Sequence, residues 1–290
     1  MENSVVVNKL VVIGVGLIGG SFSLDLKRAQ LVRQVVGVGR STANLERALQ
    51  LKVIDAAATD TTKAVCDADM VFLAIPVGQM DTVLACIAPA LPAHTLITDG
   101  GSTKGDVAQL YRKHLPDSLH RCQPAHPIAG SDLSGAAAAR YGLYENKKVV
   151  LTPLAETTPE TTAKVAALWQ ACGAEIIQMS PTEHDTIFAA VSHLPHVLAF
   201  TYMNTILARP DAATCLQLAG SGFRDFTRIA GSHPEMWRDI VLANRAPLLA
   251  DLAAFKTQLE QMMLQLEAAD ANALEQAFLA ASKVRSSWLR

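Results

Sequence analysis

The hydrophobic positions of this chain change rhythm part-way along. Up to about Ser180, short apolar runs alternate with stretches in which apolar residues recur every three or four positions. Beyond Pro181 the short runs disappear and the three-and-four spacing continues to Arg290. Short runs predict buried strands, and the longer period predicts helices that turn one face inward. Strands are predicted at Leu10–Ile13, Gln34–Val38, Met70–Ala74, Thr95–Thr98, Arg121–Gln123, Val149–Thr152 and Ile176–Met179. Helices are predicted from about Leu17 to Ala29 and at Ser41–Leu51, Gln79–Ala88, Lys104–Leu115 and Pro159–Cys172. Such alternation predicts an α/β domain with a doubly wound, mostly parallel sheet covered on both faces. The change at Ser180–Pro181, where proline suits the first turn of a helix, divides the chain into 1–180 and an all-helical 181–290.

In the helical part, Leu248, Leu252, Phe255, Leu259, Met262 and Leu266 fall on one helix face. The stripe fits an intrachain core. It also fits a helix shared between subunits, because a short all-helical region must cover much apolar surface. A homodimer through the C-terminal helices is the expectation.

The first predicted strand ends in Gly14-Val15-Gly16-Leu17-Ile18-Gly19. Gly-x-Gly-x-x-Gly is common. Here it follows a strand, opens a helix and precedes a second strand, the Rossmann-type context that binds a dinucleotide. Gly14 permits the tight turn, Gly16 lets the backbone approach a pyrophosphate, and Gly19 lets helix and strand pack closely. The helix start at Leu17 and Ile18 offers free N–H groups to the phosphates. An NAD-binding unit usually ends its second strand with an acidic residue on the ribose 2′-OH. This chain has Gly39-Arg40-Ser41-Thr42 there. Arg40 can meet a 2′-phosphate with a charge-assisted fork, with Ser41 donating beside it. NADP is therefore the expected cofactor; with Arg40 as a solvated loop charge, NAD is accepted instead.

Composition narrows the classes of function. With 290 residues, 50% hydrophobic and 18% charged, the chain can bury a large core. A formal charge of −2 without a basic block counts against nucleic acid as a partner. The five cysteines (Cys66, Cys86, Cys122, Cys172, Cys215) are scattered and odd in number, which predicts reduced thiols in a cytoplasmic protein. Glu2 precedes and Lys9 interrupts the apolar N-terminus, so it reads as a first strand and not a signal peptide. No uninterrupted apolar run reaches the length of a bilayer span, and no membrane association is expected.

Four groups of residues can carry chemistry. Ser102 follows the predicted fourth strand in Asp99-Gly100-Gly101-Ser102-Thr103-Lys104-Gly105, at the sheet edge where ligands collect in doubly wound folds. It can hydrogen-bond a substrate hydroxyl or the nicotinamide; alternatively, Ser102 or Thr103 caps the next helix. His126, between Pro124 and Pro127, is placed just past the next strand on the same edge. The prolines stiffen its backbone, and a histidine poised near neutral pH is the usual acceptor of an alcohol proton during hydride removal. A third segment carries His184, Asp185, Ser192, His193 and His196. A regular helix would bring Asp185, Ser192 and His196 within about 40° of one another. Pro195 leaves the Val191 carbonyl without its usual donor. Such a polar seam serves a site, or the histidines are satisfied in the core; no metal is expected, for want of a third ligand cluster. Finally, Arg224 and Arg228 stand four apart on one helical face, ahead of Trp237. They suit a dianionic substrate, or they pair with Asp225 or Asp239 at the surface.

Six blocks together resemble one family. They are Gly-Val-Gly-Leu-Ile-Gly-Gly-Ser at 14–21, Asp-Gly-Gly-Ser-Thr-Lys-Gly at 99–105, His-Pro-Ile-Ala-Gly at 126–130, Ser-His-Leu-Pro-His at 192–196, Phe-Arg-Asp-Phe-Thr-Arg-Ile-Ala at 223–230 and Met-Trp-Arg-Asp at 236–239. The chain resembles the prephenate dehydrogenases, also called cyclohexadienyl or arogenate dehydrogenases, across nearly its whole length. The first block is common to many folds; the later ones, in this order, are specific. The resemblance implies oxidative decarboxylation of prephenate to 4-hydroxyphenylpyruvate, or of arogenate to tyrosine, with hydride transfer to NAD(P)+ in tyrosine biosynthesis. It implies His126 as the base and Ser102 as its partner on the hydroxyl. His196 would hold the substrate, with His193 and Asp185 behind it, and Arg228 would bind a carboxylate. Asp132 would shape the site and Trp237 would form part of its wall. The family plan is a nucleotide domain followed by a helical dimerisation domain. No length is expected for a fused chorismate mutase or regulatory domain. The missing acidic residue after the second strand departs from NAD-specific members.

Two other readings compete. A β-hydroxyacid dehydrogenase shares the Rossmann-plus-helix plan but uses a catalytic Lys where this chain offers His193 and His196. A non-catalytic NADPH-binding sensor has no use for both a proton acceptor and anion anchors.

Overall fold

Strand β1 (Val7–Ile13) ends in four consecutive buried residues, as a central strand covered on both faces requires. It lies inside a six-stranded parallel sheet in the computed structural model, which describes residues 6–130 and 133–288. Its neighbours are β2 (Val32–Val38) and β4 (Met70–Leu73). Beyond β2 lies β3 (Ala56–Ala58); beyond β4 lie β5 (Leu96–Asp99) and β6 (Cys122–Gln123). The order β3-β2-β1-β4-β5-β6 reverses between β1 and β4, and a ligand crevice opens at such a switch point. Helices α1 (Leu17–Arg28), α2 (Thr42–Gln50), α3 (Thr61–Val65), α4 (Val77–Ile87) and α5 (Gly105–His114) connect the strands. Alternate residues of β1 feed two cores. Leu10 and Val12 pack with Phe22, Phe72 and Trp169, while Val11 and Ile13 pack with Met80, Leu84 and Tyr111. The doubly wound arrangement expected from the sequence is therefore present.

The later strands form a second sheet, in order β7 (Ala125–Pro127), β8 (Lys148–Leu151), β9 (Glu175–Gln178). β7 runs antiparallel to β8, and α6 (Pro159–Ala171) crosses over to make β9 parallel to it. This corrects the expectation of one continuous sheet. The strand expected at Arg121–Gln123 stops at Pro124, which has no N–H to continue the ladder, and the chain restarts as the edge strand β7. His126 lies just past the end of β6, and it stands in the middle of the new strand β7, opposite Val150.

After β9 the chain is helical: α7 (Pro181–Phe188), a π turn at Ala189–His193, α8 (Leu194–Leu207), α9 (Ala212–Gln217), α10 (Ser221–Thr227), α11 (Pro234–Ala243), α12 (Arg245–Glu267) and α13 (Ala271–Trp288). Two compact units result, Met1–Asn244 and Arg245–Arg290. The run Pro181–Leu207, with a mean hydropathy of 1.2, is long and apolar enough to cross a membrane by length and composition alone. The sequence reading passed over it because His184, Asp185, His193 and His196 break its apolar residues; all four make contacts in the site described below. On α12, Leu248 is buried and Leu252 and Met262 are half-buried, but Phe255, Leu259 and Leu266 are exposed. An intrachain core thus leaves half of that stripe uncovered.

Candidate active site

The carboxyl ends of β1, β2 and β4 open on a cleft of about 790 Å3, a size suited to a cofactor. Gly14 holds a φ of 98°, and a Cβ there would lie 2.3 Å from the Ala74 carbonyl oxygen, so the turn admits only glycine. At Gly16 a Cβ would meet nothing within 4 Å; the space above its backbone is open cleft, the cradle a pyrophosphate needs. No side chain caps α1 at this point, which leaves its first N–H groups for an anion. Leu17, Ile18 and Gly19 do not line the cleft. Gly19 serves packing, since a Cβ there would come within 2.4 Å of the Gly14 carbonyl oxygen. At the far wall, Gly39, Arg40 and Ser41 line the cleft, and among the described residues Arg40 is its one charged lining residue. Ser41 caps α2 by accepting the Asn44 N–H at 3.2 Å, leaving its own hydrogen to donate. Open backbone, uncapped helix and a cationic rim fit a dinucleotide.

From the middle of β7 into α7 three side chains form a line. His126 Nδ1 lies 2.9 Å from His184 Nε2, and His184 Nδ1 lies 2.8 Å from Asp185 Oδ1. Both imidazoles pack against Phe188, with His184 stacked at 4.4 Å between ring centroids. Asp185 also accepts the Lys104 and Gly105 N–H groups, each at 2.8 Å. The carboxylate of α7 thus caps α5, the role the sequence reading offered to Ser102 or Thr103. Gly105 is small for this reason, since a Cβ would lie 2.8 Å from Asp185 Oδ2. Burial, His184 and Lys104 push the His126 imidazole well below its ordinary pKa, so it is neutral at pH 7. Burial also lowers His184, against the pull of Asp185. For Asp185, burial raises the pKa, but the hydrogen bonds from His184 and the two amides outweigh it and keep the carboxyl ionised.

Beneath this line lies a buried ion pair. Lys104 and Asp99 have fully buried side chains and are bonded to each other. Lys104 Nζ also donates to the Ala125 carbonyl at 2.7 Å, and Asp99 Oδ1 accepts the Ala125 N–H at 3.3 Å. The pair grips both polar groups of the residue before His126, which ties β7 to the end of β5.

The π turn sets the opposite wall. Its extra residue per turn breaks the regular phase, so the expected alignment of Asp185, Ser192 and His196 is corrected. His193 instead shares a partner with Asp185: Asn244 Nδ2 donates to the Asp185 carbonyl at 2.7 Å and to His193 Nδ1 at 3.0 Å. Burial brings His193 down to about 4. His196 Nδ1 donates to the Ser192 carbonyl at 2.8 Å, one residue after the Val191 carbonyl singled out from the sequence. The His196 ring stacks on Trp237 with centroids 3.5 Å apart. Burial and the charge of Arg228 lower its pKa. Among the described residues no group of three or more His, Cys, Asp and Glu is arranged to hold a metal.

Residues 22–178 match the family model "Prephenate dehydrogenase, nucleotide-binding domain", and residues 180–280 match "Prephenate dehydrogenase, dimerization domain". The chain belongs to the prephenate dehydrogenase family. It is 34% identical to the cyclohexadienyl dehydrogenase of Zymomonas mobilis, over 95% of this chain and 94% of that one. It is 35% identical to a Bacillus subtilis prephenate dehydrogenase, over 94% of this chain and 74% of the relative. The structure of Aquifex aeolicus prephenate dehydrogenase in complex with hydroxyphenyl propionate and NAD+ matches with a TM-score of 0.92 at 32% identity, covering 99% of this chain and all of that one.

In this member of the prephenate dehydrogenase family, contacts run unbroken from His126 through His184, Asp185, Asn244, His193 and Trp237 to His196. Ser102 lies half-buried in the loop between β5 and α5, two residues before the amide that Asp185 holds. Arg228 is exposed at the end of α10. Arg224 is exposed and reaches the Ala219 carbonyl at 3.4 Å. Neither arginine pairs with Asp225 or Asp239 among the described residues; Asp239 pairs with Arg238 at 2.7 Å. Asp132 lies outside the described residues. The sequence names His184 and Lys104 within their segments but gives neither a role, and Asn244 goes unnamed. A His-Asp pair at 184–185 was visible, but nothing in the spacing says that it meets a strand 58 residues upstream.

Proposed function

We propose that this chain catalyses the oxidative decarboxylation of prephenate, arogenate or both, with hydride transfer to a nicotinamide dinucleotide, in tyrosine biosynthesis. The observation that carries the reading is a neutral imidazole, His126, backed by His184 and Asp185 on a strand that the Lys104–Asp99 pair ties to the end of β5. Gly14, Gly16 and the start of α1 hold the pyrophosphate, and Gly39, Arg40 and Ser41 the adenosine ribose. When bound, the nicotinamide supplies the hydride acceptor. His126 takes the proton of the ring hydroxyl as the hydride leaves the carbon that bears it. Loss of CO2 then restores aromaticity. Ser102 hydrogen-bonds the hydroxyl, while His196, braced by Trp237, and His193 orient the ring. Arg228 and Arg224 meet the carboxylates, and Asp132 shapes the side-chain end. A matrix of initial rates, prephenate and arogenate against NAD and NADP, tests the reading through the absorbance of the reduced nicotinamide. No turnover with any pairing, despite cofactor binding, would overturn it in favour of a sensor.

Two variants test the anchors. Arg228→Ala removes a charged carboxylate contact, and a rise in substrate KM of roughly 10–100-fold is expected; an unchanged KM places this side chain elsewhere. Arg40 supports NADP as the preferred cofactor, because among the described residues the cleft wall offers a cation and no carboxylate to the ribose. Arg40→Asp is expected to move the NAD-to-NADP ratio of kcat/KM by roughly 10-fold or more toward NAD. Equal ratios in both proteins would make Arg40 a bystander.

The same reading assigns 1–180 to the nucleotide and 181–290 to substrate binding and dimerisation, a division supported by the loss of strands after β9. Exposed Phe255, Leu259 and Leu266 on α12, with Phe278 and Leu279 on α13, support a homodimer through these helices. Five free thiols support a reducing, cytoplasmic setting.

A further inference from the structure

We propose that His184 and Asp185 are positioning residues that fix His126 in a single tautomer, with the lone pair on Nε2. The proposal rests on the reading of His126 as the proton acceptor and names what keeps it in that state. An ionised carboxylate accepts hydrogen bonds and cannot donate. Two amide N–H groups at 2.8 Å hold Asp185 in that form. The hydrogen in the 2.8 Å contact between Asp185 Oδ1 and His184 therefore sits on His184 Nδ1. A neutral imidazole protonated at Nδ1 has its lone pair on Nε2. That lone pair faces His126 Nδ1 at 2.9 Å, so the second hydrogen sits on His126 Nδ1. His126 Nε2 is then left as the acceptor. Flipping either ring's tautomer alone would place two hydrogens, or two lone pairs, between nitrogens 2.9 Å apart.

The arrangement also serves the proton once it is taken. The substrate O–H bond breaks, its proton bonds to Nε2, and His126 becomes an imidazolium whose Nδ1–H is already shared with His184. The Asp185 charge lies one ring further on and favours that cation. The other titratable groups around His126 are His193 from the π turn and Lys104 from the start of α5, with Asp99 paired to Lys104. Lys104 opposes the cation, and Asp99 is bonded to Lys104.

Two variants and one spectrum test the proposal. Long-range 1H–15N imidazole spectra of the wild-type protein should show His126 and His184 protonated at Nδ1 and bare at Nε2. Asp185→Asn can present an amide N–H to His184 and reverse both rings. It should lower kcat by about 100-fold or more, as for other mis-tautomerised bases, with the KM for prephenate within about threefold. Because Asp185 also caps α5, His184→Phe provides a second arm. It leaves the cap and the stacking on Phe188 but removes the acceptor, and about a 10–100-fold loss in kcat is expected. In that variant the His126 spectrum should become a mixture of tautomers. A wild-type His126 protonated at Nε2 would overturn the proposal. So would a folded Asp185→Asn protein with wild-type kcat and unchanged tautomers. Correct wild-type tautomers without turnover of any substrate would instead sink the functional reading and leave this one standing.

Discussion

His126→Ala is expected to lower kcat by about 10²–10⁴, the span for loss of a general base, with a folded protein and a largely unchanged KM. The fold should survive because β7 pairs with β8 through backbone groups opposite Val150, which the imidazole does not join. Turnover within a few-fold of wild type would remove His126 from the chemistry. The pH dependence carries a sign. Burial and neighbouring His184 and Lys104 depress the His126 pKa. A depressed pKa keeps the base unprotonated as pH falls, so kcat should hold through the ordinary histidine range near 6.5 and decline only well below it. An acid limb centred at or above 6.5 would mean that another group titrates.

Lys104→Met should cost about 3–5 kcal/mol of stability, read from the denaturant midpoint, because it strands the buried Asp99 carboxylate. The methionine fills the volume of the stem, so packing is not what is lost. Lys104→Met combined with Asp99→Leu should recover much of the loss, since replacing both members of a buried pair is often neutral or stabilising. The double variant should still turn over slowly. Neither residue would then hold the N–H and carbonyl of Ala125, and β7 would lose its tie to β5. A single variant within about 0.5 kcal/mol of wild type would show that Asp99 finds another partner or a proton.

The parts of this molecule that were legible in the sequence are those governed by local rhythm. β1, α1 and β2 follow from runs and turns within forty residues, and their glycines behave as the spacing demands. β3 was not legible because Ala56–Ala58 carries neither β-branched nor aromatic residues. The split between β6 and β7 depends on where Pro124 directs the chain, and one proline allows a stop or a bend equally. The site divides in the same way. His126, His196 and Trp237 were singled out, but the π turn moved Ser192 out of line and brought His193 in, because a single extra residue changes every later phase. His184, Lys104 and Asn244 act through contacts between distant segments. Their partners are set by packing, which no pattern along the chain records.

Asp185 closing the amino end of α5 has a consequence for inheritance. The helix that carries this carboxylate follows β9, yet the amides it satisfies and the imidazole it backs belong to the sheet region. Recombination between relatives at residue 180 would pair one parent's His126 with the other's His184 and Asp185, whereas a crossover after Asn244 keeps His126, its two neighbours and the shared amide in one lineage.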